Sequence, residues 1–174
     1  MKKKLLLFLL IFGLLFVTAC GDSSVDTSSN KEKTEKKEDS PKNMSKKKIA
    51  SKLFDINNDL TDLWNEVICE VSHYSYDGTS ATGEELDIEF VVKTSKKYYE
   101  KVKKNKEFVD ELGEDYEDIV EAYDKAFEHA TNIYNMIQEE TPAPNTYDKY
   151  KKDIELFQQY QDYFYEHYDD NEED

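Results

Sequence analysis

The chain has 174 residues, with 39 aspartates and glutamates against 23 lysines, no arginine and a net charge of −16. Without arginine it lacks the side chain best shaped for bidentate phosphate recognition. Its acidic excess repels polyanions at distances beyond a Debye length, so nucleic acid is excluded as an expected partner.

The first residues are Met1-Lys2-Lys3-Lys4, followed by apolar residues 5–17 and then Val17-Thr18-Ala19-Cys20-Gly21. A charged start, a short apolar stretch and small residues before a cut are the parts of a secretory signal. The stretch is shorter than the roughly 20 apolar residues that span a membrane. The cysteine at the cut resembles the lipobox of bacterial prolipoproteins. The resemblance implies that residues 1–19 are removed and that Cys20 carries a thioether-linked diacylglycerol. The mature chain is then held by palmitate-like acyl chains on the extracytoplasmic face of the cell membrane. Two such chains suffice for stable anchoring, at about 0.8 kcal/mol per buried methylene. An alternative reading gives the leader a role of its own, because residues 12–19 have the apolar character of a signalling-peptide precursor.

Without its leader the chain has 155 residues, 20 lysines and 39 acidic groups, a net charge of −19. With Cys20 lipidated, Cys69 has no intramolecular partner, and its place on an apolar helical face predicts a small core residue. Residues 20–45 read as the lipidated cysteine and a disordered tether, since they have too few apolar groups to offset the entropy of ordering.

Residues 46–169 read as one helical domain. Ile49, Leu53, Ile56, Leu60, Leu63, Val67, Val71 and Tyr74 recur at steps of three and four, widened by Trp64 and Ile68, which predicts an amphipathic helix ending before Asp77-Gly78. Thr82 and Glu85 have the spacing of a capping box and predict the start of a second helix. Its stripe runs through Leu86, Phe90, Val91, Tyr98, Val102, Phe108, Val109 and Leu112, with Gly113 as the left-handed closing residue. Ser95 and Asn105 interrupt that stripe, and a short strand around residues 88–92 is the alternative there. A third stripe runs from Tyr116 through Ile119, Val120, Tyr123, Phe127, Ala130, Ile133, Tyr134 and Ile137, and Pro142 and Pro144 end it. Asn145 or Thr146 is the expected cap of a fourth helix carrying Tyr147, Tyr150, Ile154, Phe157, Tyr160, Phe164 and Tyr168. Residues 170–174 form an acidic tail. Four amphipathic helices of about 25–30 residues with short connections predict an all-α fold, an antiparallel four-helix bundle.

Signs of catalysis are few. Glu70 and His73 have the Glu-x-x-His spacing of metal-binding bundles, but that chemistry needs the motif on two helices plus further glutamates, and here it occurs once. A metal-binding bundle is therefore the alternative, with no metal in the leading reading. His129 and His167 read as solvated or helix-end residues. The loop of residues 78–83 has the glycines of a phosphate cradle but neither its lysine nor a preceding strand. Neither Cys69 nor any serine sits beside a histidine in a recognisable nucleophile context, so an enzyme is not expected, and no cofactor is expected beyond the lipid on Cys20.

Two features exceed what a bundle needs. Lys93, Lys96, Lys97, Lys101, Lys103, Lys104 and Lys106 form a basic stretch, either a contact for anionic wall polymer or lipid headgroups or a solvated, ion-paired face. The last helix is rich in aromatic residues, and Tyr160, Tyr163, Phe164, Tyr165 and Tyr168 are the candidate partner-binding residues, because exposed tyrosines anchor interfaces. Trp64-Asn65-Glu66, Cys69, Tyr74, Gly78-Thr79, Thr82-Gly83 and Asp87-Ile88 together resemble small uncharacterised lipoproteins of low-G+C Gram-positive bacteria. That group lends a location but no activity. The expected role is a surface binding module for an envelope protein or a wall polymer.

Overall fold

The computed structural model describes residues 40–169; the leader, Cys20 and the acidic tail of residues 170–174 lie outside them. The described chain is all-α, a helical bundle with no strand among the described residues. No helix there is long and apolar enough to cross a membrane. Its first helix is built from α1 (Lys46–Leu63), a π turn (Trp64–Ile68) and α2 (Cys69–Asp77), which continue into one another. α3 (Ile88–Asp110), α4 (Glu117–Glu139) and α5 (Lys151–Asp169) follow.

The first stripe is buried as its spacing requires, from Ile49 through Leu53, Ile56, Leu60, Leu63 and Val67 to Val71. In the π turn the Cys69 amide donates to the Trp64 carbonyl, five residues back. The wider turn retards the helix, so that Ile68 joins Val67 in the core. Trp64 stacks on Phe157 of α5 with ring centroids 6.2 Å apart. Gly78 ends α2 at φ +88°, a left-handed conformation suited to glycine.

Several local expectations are corrected. Thr82 and Glu85 do not cap α3; the Ser80 hydroxyl instead accepts the Thr82 and Glu84 amides, and Glu85 forms an isolated bridge with Thr79. Asp87 is the cap, its carboxylate accepting the Phe90 amide at 3.0 Å. Residues 88–92 are helical, Phe90 is exposed rather than on the core stripe, and Tyr99 takes the inward place expected for Tyr98. Gly113 is extended, at φ −82° and ψ −179°, because α3 has already stopped at a right-handed Glu111. Neither Asn145 nor Thr146 caps α5: Asn145 is left-handed at φ 65°, and the Thr146 hydroxyl donates to the Ala143 carbonyl. Residues 40–45 belong to the fold and not to a disordered tether. Pro41 is buried, Met44 packs on the core, and the Ser40 hydroxyl donates to Glu111 at 2.7 Å.

The two interruptions in α3 are buried polar residues with partners. The Ser95 hydroxyl donates to the Val92 carbonyl and accepts from the Gln138 amide, while Asn105 donates to Asp59 at 2.8 Å. α4 packs most extensively on α5, and α3 on α4. α3 and α5 both also pack on α1, and they scarcely meet one another.

Candidate functional site

The aromatic excess of α5 divides by helical phase. Phe164 and Tyr168 are buried, with the Phe164 ring 5.7 Å from that of Tyr123 and 5.9 Å from that of Tyr168. They are core residues, so the expectation that they serve as partner-binding residues is corrected. Tyr160 is half-buried and stacks on the His129 ring at 6.2 Å. Of the five candidates, only Tyr163 and Tyr165 expose much ring, 41% and 49% of their surface. Tyr163 lies against His167 at 3.9 Å, and the His167 Nδ1 is 2.8 Å from the Tyr163 carbonyl. Tyr165 meets Tyr168 edge-on at 5.5 Å. The exposed aromatic surface of α5 is thus two tyrosine rings held by neighbours on their own helix.

His129 was expected to be solvated or to bond a helix end, and that expectation is corrected, because it lies within α4. It is only 8% exposed and its Nδ1 lies 2.8 Å from an Asp153 oxygen on α5. The Asn132 amide donates to the same oxygen at 2.8 Å. This polar cluster ties α4 to α5, and the ring stack of Tyr160 covers it. Its position was visible in the spacing, because residue 129 falls three after Ala126 and four before Ile133 on the buried stripe of α4. Its partner, 24 residues away, was not.

Glu70 and His73 do not converge on a shared point. The Glu70 carboxylate accepts the Ala81 amide at 3.1 Å and so holds the loop after α2, while His73 is exposed. Among the described residues no three histidine, cysteine, aspartate or glutamate side chains gather to hold a metal. Cys69 is half-buried. Burial, and then the charge of Glu70, pushes its thiol pKa above the usual 9.0, which makes it a poor nucleophile.

The lysines of α3 separate into two sets. Lys101 pairs with Asp59 at 3.2 Å and Asp62 at 3.3 Å; Lys106 pairs with Asp110 at 2.6 Å and Asp124 at 2.8 Å. Burial alone would lower the Lys106 pKa, but its bonds to Asp110 and Asp124 outweigh that and raise it. Lys93, Lys96, Lys97 and Lys103 are exposed on the outer face, and the Lys97 ammonium lies 4.9 Å from the centre of the Tyr98 ring. Between the end of α3 and α4 lies a groove of about 890 Å³, lined in part by Asp110, Glu117, Glu121, Asp124 and Glu128 over Val120 and Phe127. Sequence reading missed this groove, because its walls come from two helices.

No known protein family, curated protein or solved structure matches the chain.

Proposed function

We propose that this chain is a surface lipoprotein, anchored by a diacylglycerol on Cys20, whose helical domain is a non-enzymatic binding module for an envelope protein or wall polymer. The observation that carries the reading is the tetrad Val17-Thr18-Ala19-Cys20 directly after a lysine-led apolar stretch. It resembles a lipobox, and two acyl chains are enough to hold a protein at a membrane. The domain itself is read as an antiparallel four-helix bundle. Four contacts support this: Thr61 with Gln161 and Trp64 with Phe157 between the first helix and α5, and Asp59 with Lys101 and Lys52 with Phe108 between α1 and α3. In each helix pair, residue numbers fall on one helix as they rise on the other.

The binding role is supported by Tyr163 and Tyr165, rings exposed on a helix whose other aromatics are packed. Cell fractionation tests the anchor. Wild-type chain stays with membranes after a high-salt wash, whereas Cys20→Ala remains unprocessed or is released to the medium. A Cys20→Ala chain that matured and stayed on membranes like the wild type would overturn the reading.

A further inference from the structure

Charge is distributed very unevenly along the domain. Residues 40–112, which supply α1 to α3, carry twelve lysines and fourteen carboxylates; residues 113–169, which supply α4 and α5, carry four and fifteen. The first part is thus near neutral at −2 and the second carries −11. Within the first part, lysines are concentrated on the solvent side of α3. Ile88, Val91, Ser95, Tyr99, Val102, Asn105 and Val109 face the core, so Phe90, Lys93, Lys97 and Lys104 fall on the opposite side, flanked by Lys96 and Lys103. Glu89, Glu100 and Glu107 are exposed between these two rows of lysines, so the face carries five lysines against three glutamates. Lys42, Lys46, Lys47 and Lys48 are exposed where the chain enters α1, beside the end of α3 to which Ser40 is bonded.

The geometry points to an interaction surface: the outer face of α3 docks on an anionic lipid bilayer, with the Phe90 ring entering the headgroup boundary, α5 turned away and the acidic groove between α3 and α4 to one side. Charge complementarity supports this docking. A surface that is acidic on one side and lysine-lined on the other lowers its energy beside an anionic plane by turning its lysines inward. From Lys93 to Lys104 they span about 16 Å along the helix, well within reach of a flat headgroup layer. Phe90 is 62% exposed on that same side of α3. A hydrated polyanion offers nothing to an apolar ring, whereas the acyl boundary does, so the ring favours a bilayer over a wall polymer. α3 and α5 scarcely meet, and docking through α3 leaves Tyr163 and Tyr165 open to a partner.

This inference rests on the membrane anchorage proposed above, and one experiment reads the two separately. Mature lipidated chain is mixed with vesicles of phosphatidylcholine alone or with phosphatidylglycerol added. Flotation reports the anchor, and lysine acetylation mapped by mass spectrometry reports docking. Each lysine near an anionic leaflet is worth about a fivefold change in partition, so acetylation of Lys93, Lys96, Lys97 and Lys103 is expected to slow about fivefold or more on the anionic vesicles only. Lys125, Lys149, Lys151 and Lys152 stay unchanged. The protection disappears in about 1 M salt, where the Debye length is about 3 Å, and it weakens in Phe90→Ser, a change at an exposed site that leaves the core intact. Equal rates on both vesicles, protection of the α4–α5 lysines instead, or equal protection by soluble poly(glycerol phosphate) with no effect of Phe90→Ser would each overturn the docking. A chain that fails to float with neutral vesicles overturns the anchor, and the anionic vesicles then still decide whether the α3 face docks.

Discussion

Replacing Phe164 with alanine tests whether α5 uses its aromatics as core or as surface. The ring is fully buried among Tyr123, Tyr168 and the apolar faces of the other helices. Its removal loses the transfer free energy of a large side chain and leaves a cavity, costing about 3–5 kcal/mol. That is a large share of the roughly 5–15 kcal/mol that holds a domain of this kind folded. At about 4 °C per kcal/mol for this size, the melting temperature should fall by about 12–20 °C. Tyr165→Ala, one residue on and half exposed, should stay within about 0.5 kcal/mol of the wild type. Urea titration and thermal melting of the mature chain, followed by circular dichroism, measure both. A Phe164→Ala cost under about 1 kcal/mol, or a Tyr165→Ala cost as large, would refute the assignment of helical phase on which the split between core and surface depends.

His129→Ala should cost about 1–3 kcal/mol, the range for unpairing a buried polar group, because Asp153 keeps only the Asn132 donor; a urea midpoint unchanged from wild type would contradict the α4–α5 tie. The Asp77 carboxylate accepts the side-chain and backbone hydrogen bonds of Thr79, which hold its pKa below the usual 3.8. The stability this lends the loop is therefore complete above the unfolded value and is lost as the pH falls through the lower folded one. Carboxyl titration by NMR should place the Asp77 midpoint below 3.8, and a midpoint at or above it would remove the effect. At pH 8 the Cys69 thiol should alkylate more slowly than a free cysteine and recover its reactivity in urea, read on the peptide that contains it; equal rates with and without urea would show that burial does not control it.

The fold was legible where burial is periodic. The stripe from Ile49 to Val71 packs as its spacing requires, and the prolines end α4 near where they stand, at Glu139. The ends of elements were less legible because several side chains compete for the same amides. Thr82 has the right spacing for a capping box, yet Ser80 accepts the loop amides and Asp87 stands nearer the helix. Ser95 and Asn105 read as flaws in a stripe because their partners, Gln138 and Asp59, lie on other helices. The same holds for His129. A histidine at a core position and one at the surface look alike until the carboxylate across the interface is known. Within α5, spacing showed that Tyr160, Phe164 and Tyr168 share a face away from Tyr163 and Tyr165, and burial then decided which set remains available to a partner.

The proposed membrane anchorage depends on the sulfur of Cys20, and the intact mass of chain extracted from membranes tests it most directly. The expected product begins at Cys20 and carries the added mass of a diacylglycerol, released as a modified N-terminal peptide on digestion. A product that retains residues 1–19, or one whose Cys20 is an unmodified thiol, would contradict the anchor and remove the basis for seeking partners at the membrane surface.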